Sequence, residues 1–89
     1  MQLDLFPETL VLESVDPARN RARFYRMDVL QDLFGVWTLV RRWGRIGTTG
    51  REAMCSYASP SLALDAMGAV ARQKRRRGYA TPKGGSING

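Results

Sequence analysis

Arg41-Arg42-Trp43-Gly44-Arg45-Ile46-Gly47-Thr48-Thr49-Gly50 is the stretch on which the reading of this chain turns. Its first residues close a β-patterned run, Val36 to Trp43, and its glycines open a connection (Gly44 to Gly50) into a second such run, Arg51 to Tyr57. In the first run Trp37, Leu39, Arg41 and Trp43 share one face, and Thr38, Val40 and Arg42 share the other. Neither face is cleanly apolar, the pattern a bulge that reverses the pleat would give. Alternation alone therefore leaves open which way Trp43 points. In the second run Ala53, Cys55 and Tyr57 alternate with Met54 and Ser56.

Working outward toward the N-terminus, Gln31 to Gly35 reads as a loop. Before it, Arg21 to Leu30 alternates, with Tyr25, Met27 and Val29 on one face and Arg26 and Asp28 on the other. Asp16-Pro17-Ala18-Arg19-Asn20 is a turn, and Thr9 to Val15 is a short β-prone run, so these two runs pair as an antiparallel hairpin. Toward the C-terminus, Ser59-Pro60 supplies an N-cap and a proline at the first helical position. Ala63, Ala66, Met67 and Val70 make one apolar stripe, and Gly78 is the expected stop. Tyr79 is placed to pack back on the sheet. The order of elements predicts an α+β domain: a small antiparallel sheet of about four strands with one C-terminal helix packed on one face. The expected boundaries are a flexible 1–7, a folded 8–79 and a disordered tail over 80–89.

Composition narrows the chemistry. A chain of 89 residues supports one modest core and no deep, water-excluded cavity. Cys55 is the single cysteine and there is no histidine, which disfavours a zinc site, a histidine-based triad and imidazole acid–base work. No catalytic residue, metal or cofactor is expected, and the chain is read as a non-enzyme. The start Met-Gln-Leu-Asp-Leu-Phe-Pro lacks the pattern of a secretory signal, and no run approaches a membrane span. A cytoplasmic monomer that does not engage membranes is the expectation.

The net charge is +6, and it is unevenly spread. Residues 1–18 hold Asp4, Glu8, Glu13 and Asp16 and no base, whereas all 14 bases lie beyond them. Twelve of those bases are arginine and two are lysine. Arginine is suited to phosphate forks and stacking, so the balance favours an anionic partner. Trp43 offers a flat face on which a base or sugar can pack, and its bland alternative is a core position at a strand end. Arg41, Arg42, Arg45 and Arg51 flank the glycine loop, and the bland alternative for them is a solvated strand end. Arg41 and Arg42 point to opposite faces, so at most one shares a surface with Trp43. Gly44, Gly47 and Gly50 present backbone to an anion or simply make a tight turn. No Lys-Ser or Lys-Thr follows Gly50, so the loop is not a P-loop. Arg72 and Lys74 to Arg77, with Lys74 and Arg76 as the candidate contacts, either meet phosphates or form a solvated helix end, where cations suit the negative end of the helix dipole.

Taken together, these residues resemble the WGR domain. The resemblance rests on Phe24-Tyr25 in the second strand, the tryptophan strand leading into Trp43-Gly44-Arg45-Ile46-Gly47, Gly50, Ser59-Pro60 before a helix that carries Ala63 and Lys74, and Gly78-Tyr79. It covers residues 8–79 and is similar to a free-standing bacterial member. The family's small sheet with one helix agrees with the fold read above. WGR domains of the DNA-damage poly(ADP-ribose) polymerases bind DNA near breaks. The resemblance implies that Trp43 packs on a terminal sugar and that Arg45 contacts DNA or a neighbouring domain. It implies a double-stranded DNA partner, with a protein partner as the alternative. Many members carry a basic residue where this chain has Cys55.

Overall fold

A computed structural model describes residues 8–82; the expectations for 1–7 and for 83–89 lie outside the described residues. Four strands follow in order, β1 (Glu8–Asp16), β2 (Arg21–Gln31), β3 (Trp37–Arg45) and β4 (Arg51–Tyr57), and then one helix, α1 (Pro60–Arg76). The sheet order is β1-β2-β3-β4, and every neighbouring pair is antiparallel. This is the α+β arrangement expected from the sequence. Each hairpin is local because its turn chemistry is local. Pro17–Arg19 forms a single 3-10 turn, and Asn20 at φ 53 takes the left-handed conformation that asparagine tolerates. In the β2–β3 loop the Asp32 carboxylate accepts from the backbone N–H of Phe34 (2.8 Å) and of Val36 (3.0 Å). That braced loop carries Leu33 and Phe34 at 98% and 89% exposure.

The β2–β3 register runs unbroken from Arg23↔Arg45 to Gln31↔Trp37, and the β3–β4 register is unbroken as well. No bulge reverses the pleat of β3. The mixed pattern of its faces has another cause: one end of the sheet's helix-side face is charged rather than apolar. Gly44 and Arg45 continue the strand instead of joining the connection, and Gln31 ends β2 rather than opening the loop. The glycines explain how a strand pair can close so tightly. A Cβ on Gly44 would lie 2.9 Å from the Gly50 Cα, and one on Gly50, at φ +75, would run into the Trp43 carbonyl and the Phe24 ring.

Helix α1 starts where Ser59 Oγ accepts from Leu62 N–H at 3.2 Å, with Pro60 in the first turn. Its end is a Schellman arrangement. Tyr79 N–H donates to Lys74 O (3.0 Å), Gly78 N–H donates to Arg75 O (3.1 Å), and Gly78 sits at φ +98. This closure turns the chain back toward the sheet. Tyr79 becomes buried, and Ala80 exchanges two backbone hydrogen bonds of 2.8 Å with Glu13.

The core lies between the sheet and α1. Leu12, Tyr25, Met27, Val29 and Leu39 come from the sheet, and Ala63, Met67 and Ala71 come from the helix. Small residues on the helix let it sit close to the larger side chains below. Leu12, Met27 and Leu39 are fully buried, each contributing about 1.5–3 kcal/mol by removal from water. The other face of the sheet is uncovered by described residues and carries its own polar network. Asp28 accepts from Arg26 at 3.0 and 3.3 Å and from Thr9 at 2.6 Å. Burial acts to raise the Asp28 pKa, but hydrogen bonds from Arg26 and Thr9 and the charges of Arg26 and Arg42 outweigh it and hold the carboxyl below its ordinary value.

Candidate nucleic-acid interface

Register decides which side chains share a surface. Tyr25 on β2 pairs with Trp43 on β3, and Trp43 pairs in turn with Arg51 on β4. One row further toward the sheet's end, Arg23 faces Arg45, and beyond that Arg21 faces Asp16 on β1. All of these lie on the face that α1 covers, at the end where the helix terminates. The Trp43 ring stacks on Tyr25 with centroids 5.7 Å apart and planes 16° from parallel. Tyr79 meets Tyr25 edge-on at 6.4 Å. Trp43 is half-buried, packed against the core along part of its surface and open along the rest. The core reading thus holds for part of the ring, and the rest of its surface stays accessible.

Cations interleave with this aromatic trio. Arg41 lies over the Trp43 ring at 5.6 Å, and its Nη1 donates to the Tyr25 hydroxyl at 3.0 Å. Lys74 Nζ stands 4.6 Å from the Tyr25 centroid and 5.6 Å from that of Tyr79. Arg21 lies over Tyr79 at 5.8 Å, and its Nε donates to Ser14 Oγ at 2.7 Å, satisfying a buried hydroxyl. Burial, followed by the charges of Arg77, Arg23 and Arg41, holds the Lys74 pKa below that of an ordinary lysine. The ion pairs among the described residues involve Arg19, Arg26 and Arg42, none of which belongs to this cluster. The cluster's own cations are thus outside every ion pair among the described residues.

The residues singled out in the sequence divide between two faces. Trp43, Arg41, Lys74 and Arg51 come together on the helix-side face. Arg45 reaches from the same end toward the first turn, donating to Asn20 O and Asn20 Oδ1 at 3.1 Å each, so part of its donor fork braces that turn. Arg76 is exposed in the last turn of α1. Arg42 is set apart: it lies on the opposite face, where Nη2 contacts Glu52 at 2.9 Å. Gly44 shares that opposite face and serves the close approach of Gly50 rather than presenting backbone to the cluster. The sequence reading missed Arg21, Arg23, Tyr25 and Tyr79 as members of the surface. The β2 alternation already held the signal, because Arg21 and Arg23 keep the parity of Tyr25.

This cluster, a tryptophan stacked on a tyrosine and ringed by arginines at the end of a helix-backed sheet, can be compared with known proteins. The WGR domain family matches residues 8–86. The chain belongs to the WGR family. WGR domains are in general nucleic-acid-binding modules, and in the polymerases they are non-catalytic. An uncharacterized protein, y4dW of Sinorhizobium fredii, is similar to this WGR chain at 42% identity over 73 residues, which is 82% of this chain and 36% of that protein. The chain thus spans about a third of the length of this relative. No solved structure matches it. No helix among the described residues is long and apolar enough to cross a membrane, and no group of metal-ligating side chains occurs among them.

Proposed function

We propose that this WGR domain binds double-stranded DNA without catalysis and prefers ends or breaks. The observation that carries the reading is the Tyr25–Trp43 stack set among cations that have no ion-pair partner among the described residues. Arg21, Arg23, Arg41, Arg51 and Lys74 meet phosphates near the strand end, with Arg76 and Arg77 extending the contact along the helix terminus. Trp43 receives the exposed terminal sugar or base on its open part. A duplex interior offers no such open ring face, which is why ends are favoured. Arg45, held by Asn20, presents its remaining donors beside the same end of the sheet. Arg42 and Gly44 act through the fold. The protein works as a monomer in the cytoplasm.

The test is a titration of fluorescent open duplex, hairpin-closed duplex, single strand and RNA duplex at two salt concentrations. Neutralising about five phosphates gives a log–log salt slope near −4.5 for duplex DNA. Failure to bind any of the four would remove the nucleic-acid reading, and equal affinity for open and closed duplex would remove the end preference.

A second reading, a protein-interaction module, is favoured by a different observation. Leu33 and Phe34 stand almost fully exposed on a loop braced by Asp32, away from the basic end. The segment 30–37 has Asp32 as its single charge and no cation, which suits an apolar pocket of a protein rather than a phosphate backbone. A Leu33→Ser/Phe34→Ser double variant separates the two readings: it leaves DNA affinity unchanged if the basic end is the working surface.

A further inference from the structure

We propose that Lys74 is a nucleophilic amine that captures aldehyde-bearing sugars, such as the ring-opened deoxyribose of a base-less strand end, as a reversible imine. The inference rests on the reading that Trp43 receives the terminal sugar.

The first argument is one of residue type. Twelve of the chain's bases are arginine and two are lysine, Lys74 and Lys83. A guanidinium stays protonated and cannot attack a carbonyl, so arginine serves phosphate binding but not this chemistry. Lys74 is the one side-chain amine among the described residues, and it stands in the middle of the aromatic cluster. If this position needed only charge, arginine would serve there as it does at Arg21, Arg23, Arg41, Arg75, Arg76 and Arg77.

The second argument is geometric and electrostatic. The amine lies 4.6 Å from the centre of the Tyr25 ring, and that ring stacks on Trp43, so Nζ belongs to the same aromatic cluster. It is half-buried and has no ion-pair partner among the described residues. The charged groups facing it are Arg77 from its own helix, Arg23 from β2 and Arg41 from β3, and with burial they favour the neutral form. Lysines made nucleophilic in this way form Schiff bases with carbonyl compounds. The same arginines attract the phosphate that flanks such a sugar.

The step balances without an added oxidant or reductant. The neutral amine's lone pair attacks C1′ of the open-chain aldehyde, and the C–N bond forms as the carbonyl oxygen takes up a proton. The carbinolamine then loses water to leave the imine. Strand cleavage is not part of the proposal, because removing the C2′ proton needs a base. The chain has no histidine, and the cluster has no paired carboxylate.

The experiment uses the full chain with two duplexes, one undamaged and open-ended and one carrying a 5′-terminal abasic deoxyribose phosphate. Cyanoborohydride reduces any imine, and peptide mass spectrometry locates the adduct. The expected result is an adduct at Lys74 whose yield falls at least about tenfold in Lys74→Arg, which keeps the charge but not the amine. Adduct yield is normalised to the fraction of duplex bound, and Lys83→Arg leaves the adduct in place. Trapping that persists in Lys74→Arg, or that maps to Lys83 or the N-terminal amine, overturns the inference. Binding of the undamaged end without any adduct overturns capture alone, whereas absence of both overturns the end-binding reading with it.

Discussion

Trp43→Ala is the substitution that probes the site most directly, and the structure gives it two separable effects. The first is on stability. A fully buried tryptophan truncated to alanine costs about 3–5 kcal/mol, and Trp43 is half-buried, so about 2 kcal/mol is expected, including the lost stack on Tyr25. In a domain of this size that lowers the thermal midpoint by roughly 8–16 °C. The second effect is on binding. A base or sugar stacked on an aromatic ring is worth about 1–3 kcal/mol, so affinity for open duplex should fall about 5- to 150-fold. A calorimetric melt gives the first quantity. Fluorescence anisotropy gives the second, recorded roughly 15 °C or more below the variant's midpoint so that only folded protein is titrated. Trp43→Phe keeps a ring on Tyr25 and should recover most of the stability and part of the affinity. The reasoning fails if folded Trp43→Ala binds open duplex within about twofold of the parent, since the tryptophan would then be serving the core alone.

Three further outcomes follow from the fold. Gly50→Ala forces a side chain into a left-handed conformation against the Trp43 carbonyl and Phe24, and a urea titration should show a loss of about 2 kcal/mol or more. Ser59→Ala removes the acceptor for Leu62 N–H and should cost about 1 kcal/mol by the same titration, without altering DNA affinity. Asp28 has its folded pKa lowered, so its contribution is present above the unfolded carboxylate value near about pH 4 and is lost as pH falls through the folded value. Asp28→Asn should therefore destabilise by up to about 1 kcal/mol at neutral pH and flatten the acid limb of a stability–pH curve; an unchanged acid limb would contradict the assignment.

The fold was legible in the sequence because its signals are local. Ser59-Pro60 marks the helix start, Gly78 its stop, and the alternation of Tyr25, Met27 and Val29 marks a strand with one buried face. What the sequence left open was the face of Trp43. Strand β3 interleaves Trp37, Arg41, Trp43 and Arg45 on its helix-side face, and a binary apolar–polar pattern cannot distinguish a charged end of a covered face from a bulge. The site was legible only in part for a related reason. Arg41, Trp43 and Arg51 are close in sequence, whereas Arg21, Arg23, Lys74 and Tyr79 reach the same place through cross-strand register and the Schellman turn. Arg42, the neighbour of Trp43 in the chain, is for its part carried to the opposite face by the pleat.

Tyr79 and Ala80 also bear on how the domain comes into being. The aromatic trio draws on residues 25, 43 and 79, and the last of these is fixed by pairing Ala80 with Glu13 of the first strand. The hairpins can form as the chain emerges from the ribosome, because each is joined by a short turn. The platform cannot, since it waits for a segment that follows every other element of the fold. The arginines of the strands consequently emerge before the surface that gathers them is assembled. The aromatic cluster is completed only with the fold, and Glu13 of the first strand gains its backbone partner only when Ala80 arrives.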